Sequence, residues 1–256
     1  MRTRTFFDLL LFKTRANLHT EVSQYYLHYL WWVINPLLTM GVFYVVFGLF
    51  LGSKIQHFVA FLLCGLTMWQ WFARTVNNSA GSILEGVGLM TQIDIPKIFF
   101  PLEVAFRDAF KNLFAVLLLL VFLVFYPSPV TEKWLVLPLL MVVQFILNTA
   151  VAILVAALVP FIPDLKFIVS TGIELMFFGS GIFFSIEHMV LPQHRWILYA
   201  NPVAGLIKSY RDILVYGNWP DWTYLAGVSV FSVALFGCAF LIVRRFDRLY
   251  PRVCLQ

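Results

Sequence analysis

Residues 134–159 read WLVLPLLMVVQFILNTAVAILVAALV, 26 consecutive positions without a charged side chain. At ~1.5 Å of rise per residue, a helix of that length outruns the ~30 Å hydrocarbon core of a bilayer. The stretch therefore predicts a transmembrane span, stopped by Pro160 and Pro163. The pattern recurs on both sides of it. Trp31 to Leu51 is charge-free and closed by Gly52-Ser53-Lys54, and Phe58 to about Asn78 follows with Arg74 near its far end. Val104 to Tyr126 halts at Pro127-Ser128-Pro129, and Phe167 to Ile186 and Tyr224 to Val243 complete a set of six.

Composition points the same way. Of the 256 residues, 61% are hydrophobic, 18% aromatic and 12% charged, with a mean hydropathy of +0.85. Soluble domains carry about 45–50% apolar and about 25% charged residues, so this chain lacks the polar surface to cover a water-facing core. A soluble enzyme is excluded. The expectation is one all-α integral membrane domain over 1–256. The net charge of +5 does not indicate nucleic acid, because the basic residues are thinly scattered beside apolar runs. Cys64, Cys238 and Cys254 have neither disulfide nor metal spacing. Phe6 to Phe12 is broken by Asp8 and followed by Lys13 and Arg15, which does not resemble a cleavable leader.

Residues 5–29 are mixed in character, with Leu18, Val22, Tyr25, Tyr26 and Tyr29 on one helical face, and predict an amphipathic helix lying at the interface. Connecting segments on the side of the termini hold 12 Lys and Arg against 5 on the other, with Arg74 assigned to neither. By the positive-inside rule both termini face the cytoplasm. The outer connection, residues 187–223, is long yet apolar in places. Pro202 can open a helix there, and Val203, Leu206, Ile207, Tyr210, Ile213 and Leu214 recur at helical spacing. It predicts a re-entrant hairpin, permitted only where protein covers the broken backbone; the alternative is a helix lying flat on the outer surface.

Chemistry is sparse. Gly48-Leu49-Phe50-Leu51-Gly52-Ser53-Lys54 misses the nucleotide-binding loop in both spacing and order. Neither a Ser/His/Asp set nor a metal-type cluster is evident. Two ionisable residues stand out within spans, Arg74 and Glu174. A charge at the bilayer centre costs at least ~2.5–3.5 kcal/mol, so they predict an interhelical bridge, the alternative being Arg74 snorkelling to the headgroups over a neutral Glu174. Aromatic residues away from the boundaries are numerous. Phe43, Tyr44, Phe47, Phe177, Phe178, Phe183 and Phe184, joined by Phe72 and by the boundary residue Trp69, either pack against lipid and helices or line a conduit whose ring faces let sugar C–H surfaces slide past. The two halves show no internal repeat, which disfavours an ion-coupled carrier.

Several strings resemble the membrane subunit of ABC transporters that export lipid-linked polysaccharides, the O-antigen, capsule and teichoic acid permeases. These are Trp31-Trp32-Val33-Ile34-Asn35-Pro36-Leu37-Leu38, Ile95-Pro96-Lys97-Ile98-Phe99-Phe100-Pro101-Leu102, Pro163-Asp164-Leu165-Lys166-Phe167-Ile168-Val169, and Asn201-Pro202-Val203 with Tyr210-Arg211-Asp212. One departure is Phe178-Gly179-Ser180-Gly181, where the family often carries Ser-Pro. The resemblance implies a homodimer of six-span subunits in the bacterial inner membrane, served by two copies of a separate cytoplasmic ATPase that binds the ATP and Mg; the chain itself would need no cofactor. It implies a polymer on an isoprenoid pyrophosphate carrier, O-antigen first among the candidates. A coupling segment over 85–97 (Glu85, Asp94, Pro96, Lys97) and a re-entrant segment around Asn201, Pro202 and Arg211 follow from it. Arg2, Arg4, Lys13 and Arg15 would attract the carrier head group. Two other classes stay open: an ABC permease for a drug or small lipid, and an ion-coupled secondary transporter.

Overall fold

The computed structural model describes residues 3–23, 28–50, 52, 55–127 and 129–254, with side chains for all of these except 3–5, 21–23, 28–33, 35–36 and 188–189. The described residues are helical from end to end, without a strand. In chain order the helices are α1 (Thr3–Ser23), α2 (His28–Phe43, continued as a π-helix over Tyr44–Phe50), α3 (Phe58–Ala80), α4 (Ser82–Glu85), α5 (Val87–Met90) and α6 (Phe99–Phe125). They continue with a 3₁₀ turn (Glu132–Val136) leading into α7 (Leu137–Leu158), α8 (Leu165–Phe178), α9 (Ile186–Met189), a 3₁₀ turn (Pro192–His194), α10 (Arg195–Tyr199), α11 (Pro202–Leu214), α12 (Trp222–Phe246) and α13 (Tyr250–Val253).

Among the described residues, four helices are long and apolar enough to cross a membrane: Phe58–Ala80, Phe99–Phe125, Glu132–Leu158 and Trp222–Phe246. The other two expected spans are shorter. In the first, the apolar helix covers Leu37–Phe50. The expected fifth, Phe167 to Ile186, ends as a helix at Phe178, and 14 residues reach only about 21 Å. The cause is local: Gly181 takes φ +64, a left-handed conformation that glycine tolerates and a continuing helix does not. Hydropathy counted the turn as span. α6 departs in the other direction, starting at Phe99 rather than at Val104, which draws Glu103 into a helix that also carries Arg107, Asp108 and Lys111.

The central packing is α7 against α12, with α3 laid across α6 and α7. Ala150, Ala152, Ala156 and Ala157 on α7 and Ser232 and Ala239 on α12 are fully buried. Small side chains allow the close backbone approach that drives helix association in lipid, where water supplies no hydrophobic force. α1 docks on the first turns of α6 through Phe6, Leu10 and Asn17, whose Nδ2 donates to Glu103 Oε1 at 2.9 Å. This contact face differs from the expected stripe beginning at Leu18. Of that stripe, Tyr25 and Tyr26 lie outside the described residues, as do the side chains of Val22 and Tyr29.

Both ends of the chain come to one end of the bundle. There Leu10, Ile95, Phe99, Ile153, Val243 and Tyr250 form a single buried cluster. The Tyr250 hydroxyl donates to the Ala157 carbonyl at 3.2 Å. The Lys97 amide donates to Asp247 Oδ1 at 2.9 Å, while its buried ammonium lies 3.6 Å from Asp247 Oδ2 and 3.8 Å from Asp94 Oδ1. Residues 94–97 are thereby tied to the end of α12.

The opposite end is held by Arg211 of α11. Its Nε donates to the Phe61 carbonyl (3.1 Å), Nη1 to Gly181 (2.7 Å) and Nη2 to Ile182 (2.8 Å), and its guanidinium lies 3.3 Å from the centroid of the Phe61 ring. A Cβ on Gly65 would collide with Nη2, so α3 is bare at the point where Arg211 crosses it. Asn201 opens α11, its side chain accepting from the Val203 amide at 3.0 Å and donating to Ser180 Oγ at 2.8 Å, with Pro202 in the first turn.

Two outcomes follow. Arg211→Lys keeps the charge but loses the planar fork, and should destabilise the protein by about 1–3 kcal/mol, Arg211→Met by more, because a buried group left unpartnered costs its full desolvation. Equal thermal melting of wild type and Arg211→Met in mild detergent would show that the fork carries no load. Asp247→Ala should cost about 1–3 kcal/mol by stranding the buried Lys97 ammonium, and protease nicking within 91–98 should rise with it.

Candidate functional site

Eight of the nine aromatic residues singled out in the sequence form one continuous set of ring contacts. Phe43 lies 5.9 Å from Phe47, 5.6 Å from Phe177 and 5.9 Å from Phe183, and Phe47 and Phe183 stack at 4.7 Å. Trp69 reaches Phe177 at 5.8 Å and Phe72 at 5.6 Å, and Phe178 and Phe184 meet Phe183 at 6.0 and 5.3 Å. Tyr44 is apart from this set, its ring packed over Gly48. Three local features assemble the group. Phe43 and Phe47 fall one turn apart where α2 becomes π-helical. Trp69 and Phe72 project from one side of α3. The turn at Gly181 folds Phe183 and Phe184 back toward Phe177; a Cβ there would lie 2.8 Å from Ile186 Cγ1, so a glycine is required on space as well as on φ.

The cluster opens onto a cavity of about 990 Å³. Phe47, Phe183, Tyr199 and Tyr216 supply ring faces to it, and Gln56, Asn218 and Asp212 supply polar groups. Lys208 and Glu187, which pair at 2.5 Å, close one side and join α11 to α9. Arg211 is buried in the wall, with each of its three nitrogens donating to a backbone carbonyl. Flat ring faces with scattered amide and carboxylate groups are chemistry suited to a polyhydroxylated solute that must not be held firmly. Among the described residues, no group of three or more His, Cys, Asp or Glu could hold a metal.

The intramembrane charges fall differently from the expected bridge. Arg74 and Glu174 are not brought together. Glu174 is exposed on α8 beside Leu175 and Phe178, while Arg74 Nε donates to the Gln70 carbonyl of its own helix at 3.2 Å and the acid acting on it is Asp108. Asp108 is fully buried on α6, accepts from Asn78 Nδ2 at 3.0 Å and has the Lys111 ammonium at 3.9 Å. Asn112 on α6 and Asn148 on α7 are also fully buried, and Gln144 Nε2 donates to the Met68 carbonyl at 2.8 Å. These polar positions escaped the sequence reading. Their signal was the i, i+4 spacing of Asp108 with Asn112 and of Gln144 with Asn148, which sets both pairs on one helical face turned into the bundle.

At the end of the bundle that carries the termini, the expected coupling residues separate into two kinds. Glu85, Asp94 and Pro96 are exposed; Lys97 is buried and engaged by Asp247. The basic residues of α1 divide as well. The Lys13 ammonium sits 5.9 Å above the Phe100 ring, and Arg15 is exposed. Arg2 and the side chain of Arg4 lie outside the described residues. Asp247 was missed because the sequence reading counted only Lys and Arg in the segments outside the spans.

Residues 105–215, from α6 to the end of α11, match the family described as ABC-2 type transporter. The chain is 32% identical over 213 residues to the O-antigen export system permease protein RfbA of Klebsiella pneumoniae, a match covering 83% of this chain and 82% of that one. It is 26% identical over 232 residues to a protein of the same name from Myxococcus xanthus (90% and 89% covered). It is 21% identical over 227 residues to the inner membrane transport permease YadH of Escherichia coli K12 (83% and 87% covered). With four helices among the described residues able to cross a membrane and a relative matched along more than four-fifths of both sequences, this multi-pass chain belongs to the ABC-2 type transporter family of membrane permeases.

Proposed function

We propose that this chain is the membrane-spanning subunit of an ATP-driven exporter that moves a lipid-linked O-antigen polysaccharide across the bacterial inner membrane. The observation that carries the reading is the match along most of the chain to permeases named for O-antigen export. The aromatic cluster and the cavity beyond it supply a physical means: ring faces offer apolar contact to sugar C–H surfaces without fixing a hydrogen-bond register, so a polymer can advance through them. Phe43, Phe47, Trp69, Phe72, Phe177, Phe178, Phe183 and Phe184 form the wall in this reading, and Tyr44 flanks it.

Two copies of the chain enclose the path. The π-helical run after α2 and the outer face of α8 offer exposed apolar side chains, among them Val45, Leu49, Ile168 and Leu175, and these are the surfaces assigned to the seam. In the bilayer, α2 with its π-helical continuation and α8 with the turn beyond it complete six spans, α1 lies at the interface, both termini face the cytoplasm, and α9 to α11 form the re-entrant hairpin. Two copies of a separate ATPase, which bind the ATP and Mg, dock on the end bearing the termini. Glu85, Asp94 and Pro96 are the contacts offered to them, and Lys97 braces the segment from behind. Lys13, with Arg2, Arg4 and Arg15, gives that face the positive charge that attracts a pyrophosphate-linked carrier.

The test is complementation. In a strain lacking its O-antigen permease, this chain expressed with its genomic ATPase neighbour should restore the surface polymer ladder and retain the ATPase through purification. Phe47→Ala with Phe183→Ala removes the 4.7 Å stack and should cut surface polymer roughly three- to tenfold with the chain and ATPase still copurifying. A purified chain that hydrolyses ATP by itself, or transport that collapses with the ion gradient rather than with ATP, would overturn the reading.

A further inference from the structure

Helices α3 and α8 lie side by side and antiparallel. At one end of the contact Trp69 meets Phe177 at 5.8 Å; at the other, Lys166 Nζ lies 3.3 Å from where a Cβ on Gly81 would stand. Between these points each helix carries a row of polar side chains at four-residue spacing, Gln70, Arg74 and Asn78 on α3 and Lys166, Ser170 and Glu174 on α8. That spacing keeps each row on one helical face. Asn78, Lys166 and Glu174 are exposed and the other three half-buried. The α3 row follows by one position the line from Trp69 to Gly81, and the α8 row follows by one position the line from Leu165 through Ile173 to Phe177. Since the helices run in opposite directions, both rows turn to the same side of the crossing. On α8 this is the side away from Ile168 and Leu175, the residues assigned to the seam.

These rows reach deep. Gln70 stands 10 residues from the Ala80 end of α3, and Glu174 stands 9 residues from the Leu165 start of α8, so both lie about 14–15 Å from the end of the bundle that carries the termini. In a hydrocarbon core of ~30 Å that is close to the middle. Ionisable side chains at such depth either pair with one another or line water. Pairing does not account for them. Among the described residues the Glu174 carboxylate and the Lys166 ammonium have no ion-pair partner, and Arg74 commits only its Nε, to the Gln70 carbonyl at 3.2 Å. A lipid chain offers nothing to a guanidinium, a carboxylate or an amide, whereas water and hydroxyl groups satisfy all three.

We propose that the two rows line a water-filled inlet, open at the end of the bundle that bears the termini, through which the hydrated sugar chain reaches the aromatic cluster. The inference rests on the exporter reading above and supplies the entry side of that path. Gln70, Asn78 and Ser170 exchange hydrogen bonds with sugar hydroxyls directly or through water, each being able both to donate and to accept. The inlet ends where Trp69 meets Phe177, one position beyond Gln70 on α3 and three beyond Glu174 on α8. There water stops at the rings, and each sugar unit trades hydroxyl contacts for contact between its C–H surface and a ring face.

The test asks which solvent touches these positions. In the full chain, with the native thiols removed by Cys64→Ala, Cys238→Ser and Cys254→Ser, single cysteines are placed by Gln70→Cys, Ser170→Cys and Glu174→Cys. Leu117→Cys and Val233→Cys, on exposed apolar faces of α6 and α12, are the lipid-facing controls. Inverted membrane vesicles holding the chain with its ATPase are treated with a charged, membrane-impermeant methanethiosulfonate, and the remaining thiol is counted by mass tagging. The row positions should react at least about tenfold faster than the controls, because only the thiolate reacts and an apolar setting suppresses it; right-side-out vesicles should protect them. Ser170→Leu with Glu174→Leu, which turns the α8 row apolar, should cut surface polymer several-fold with the ATPase still copurifying. Monodispersity by size exclusion checks each variant, and if Glu174→Cys misfolds, Gln70→Cys and Ser170→Cys decide. Labelling no faster than in the controls, labelling from the outer face alone, or full polymer in the double leucine variant would each overturn the inlet. Slow labelling in a chain that restores polymer defeats the inlet alone, whereas fast labelling in a chain that restores none defeats the exporter reading and with it the sugar as occupant.

Discussion

A chain that leaves its helix inside a bilayer exposes carbonyls with no water to satisfy them. In this molecule α8 ends before Gly181 and Ile182, and their carbonyls fall to the guanidinium of Arg211. With one fork it serves both carbonyls and that of Phe61, joining α11, α3 and the turn in a single planar contact. Phe183 and Phe184 follow the turn directly, so the aromatic wall inherits its geometry from that guanidinium. Gly65 is the place where α3 gives way for it, while Gly181 is set by its positive φ and by the nearness of Ile186.

Polar groups organise the rest of the interior by the same logic. Asp108, Asn112, Gln144 and Asn148 lie buried where α3, α6 and α7 meet. Between apolar helices, lipid is as good a neighbour as protein, so apolar contact alone specifies orientation weakly. A helix carrying a buried carboxylate or carboxamide has one acceptable rotation, the one that turns those groups away from lipid. The small residues of α7 then let α12 approach the face left over.

Much of the architecture was legible in the sequence because hydropathy and proline report on solvent and on chain direction. Trp134 to Val159, the halt at Pro127 and the helix opened by Pro202 all emerge as read. What hydropathy cannot see is the direction in which an apolar residue points or whether its backbone continues as a helix. It therefore counted Gly179 to Gly181 as span, and it started α6 five residues late, leaving Glu103 outside the helix that contains it. The Arg74 and Glu174 pairing failed for a related reason. Depth in the membrane was inferable from residue count, but azimuth was not, and Glu174 points out from α8 while Asp108, at a similar distance along its own helix, points in. The aromatic residues meet in one set of ring contacts because Phe43 and Phe47 are one helical turn apart and Phe177 to Phe184 are close in sequence.

Lys97 and Asp247 tie two distant parts of the chain through one amide and one ammonium. Mechanically this is a rivet between the segment that precedes α6 and the trailing end of α12, and α12 is in turn laid along α7. A displacement applied at residues 91–98 is consequently shared among three long helices at once. Motion started at that end travels as the tilt of a rigid body and is not absorbed by a bending loop.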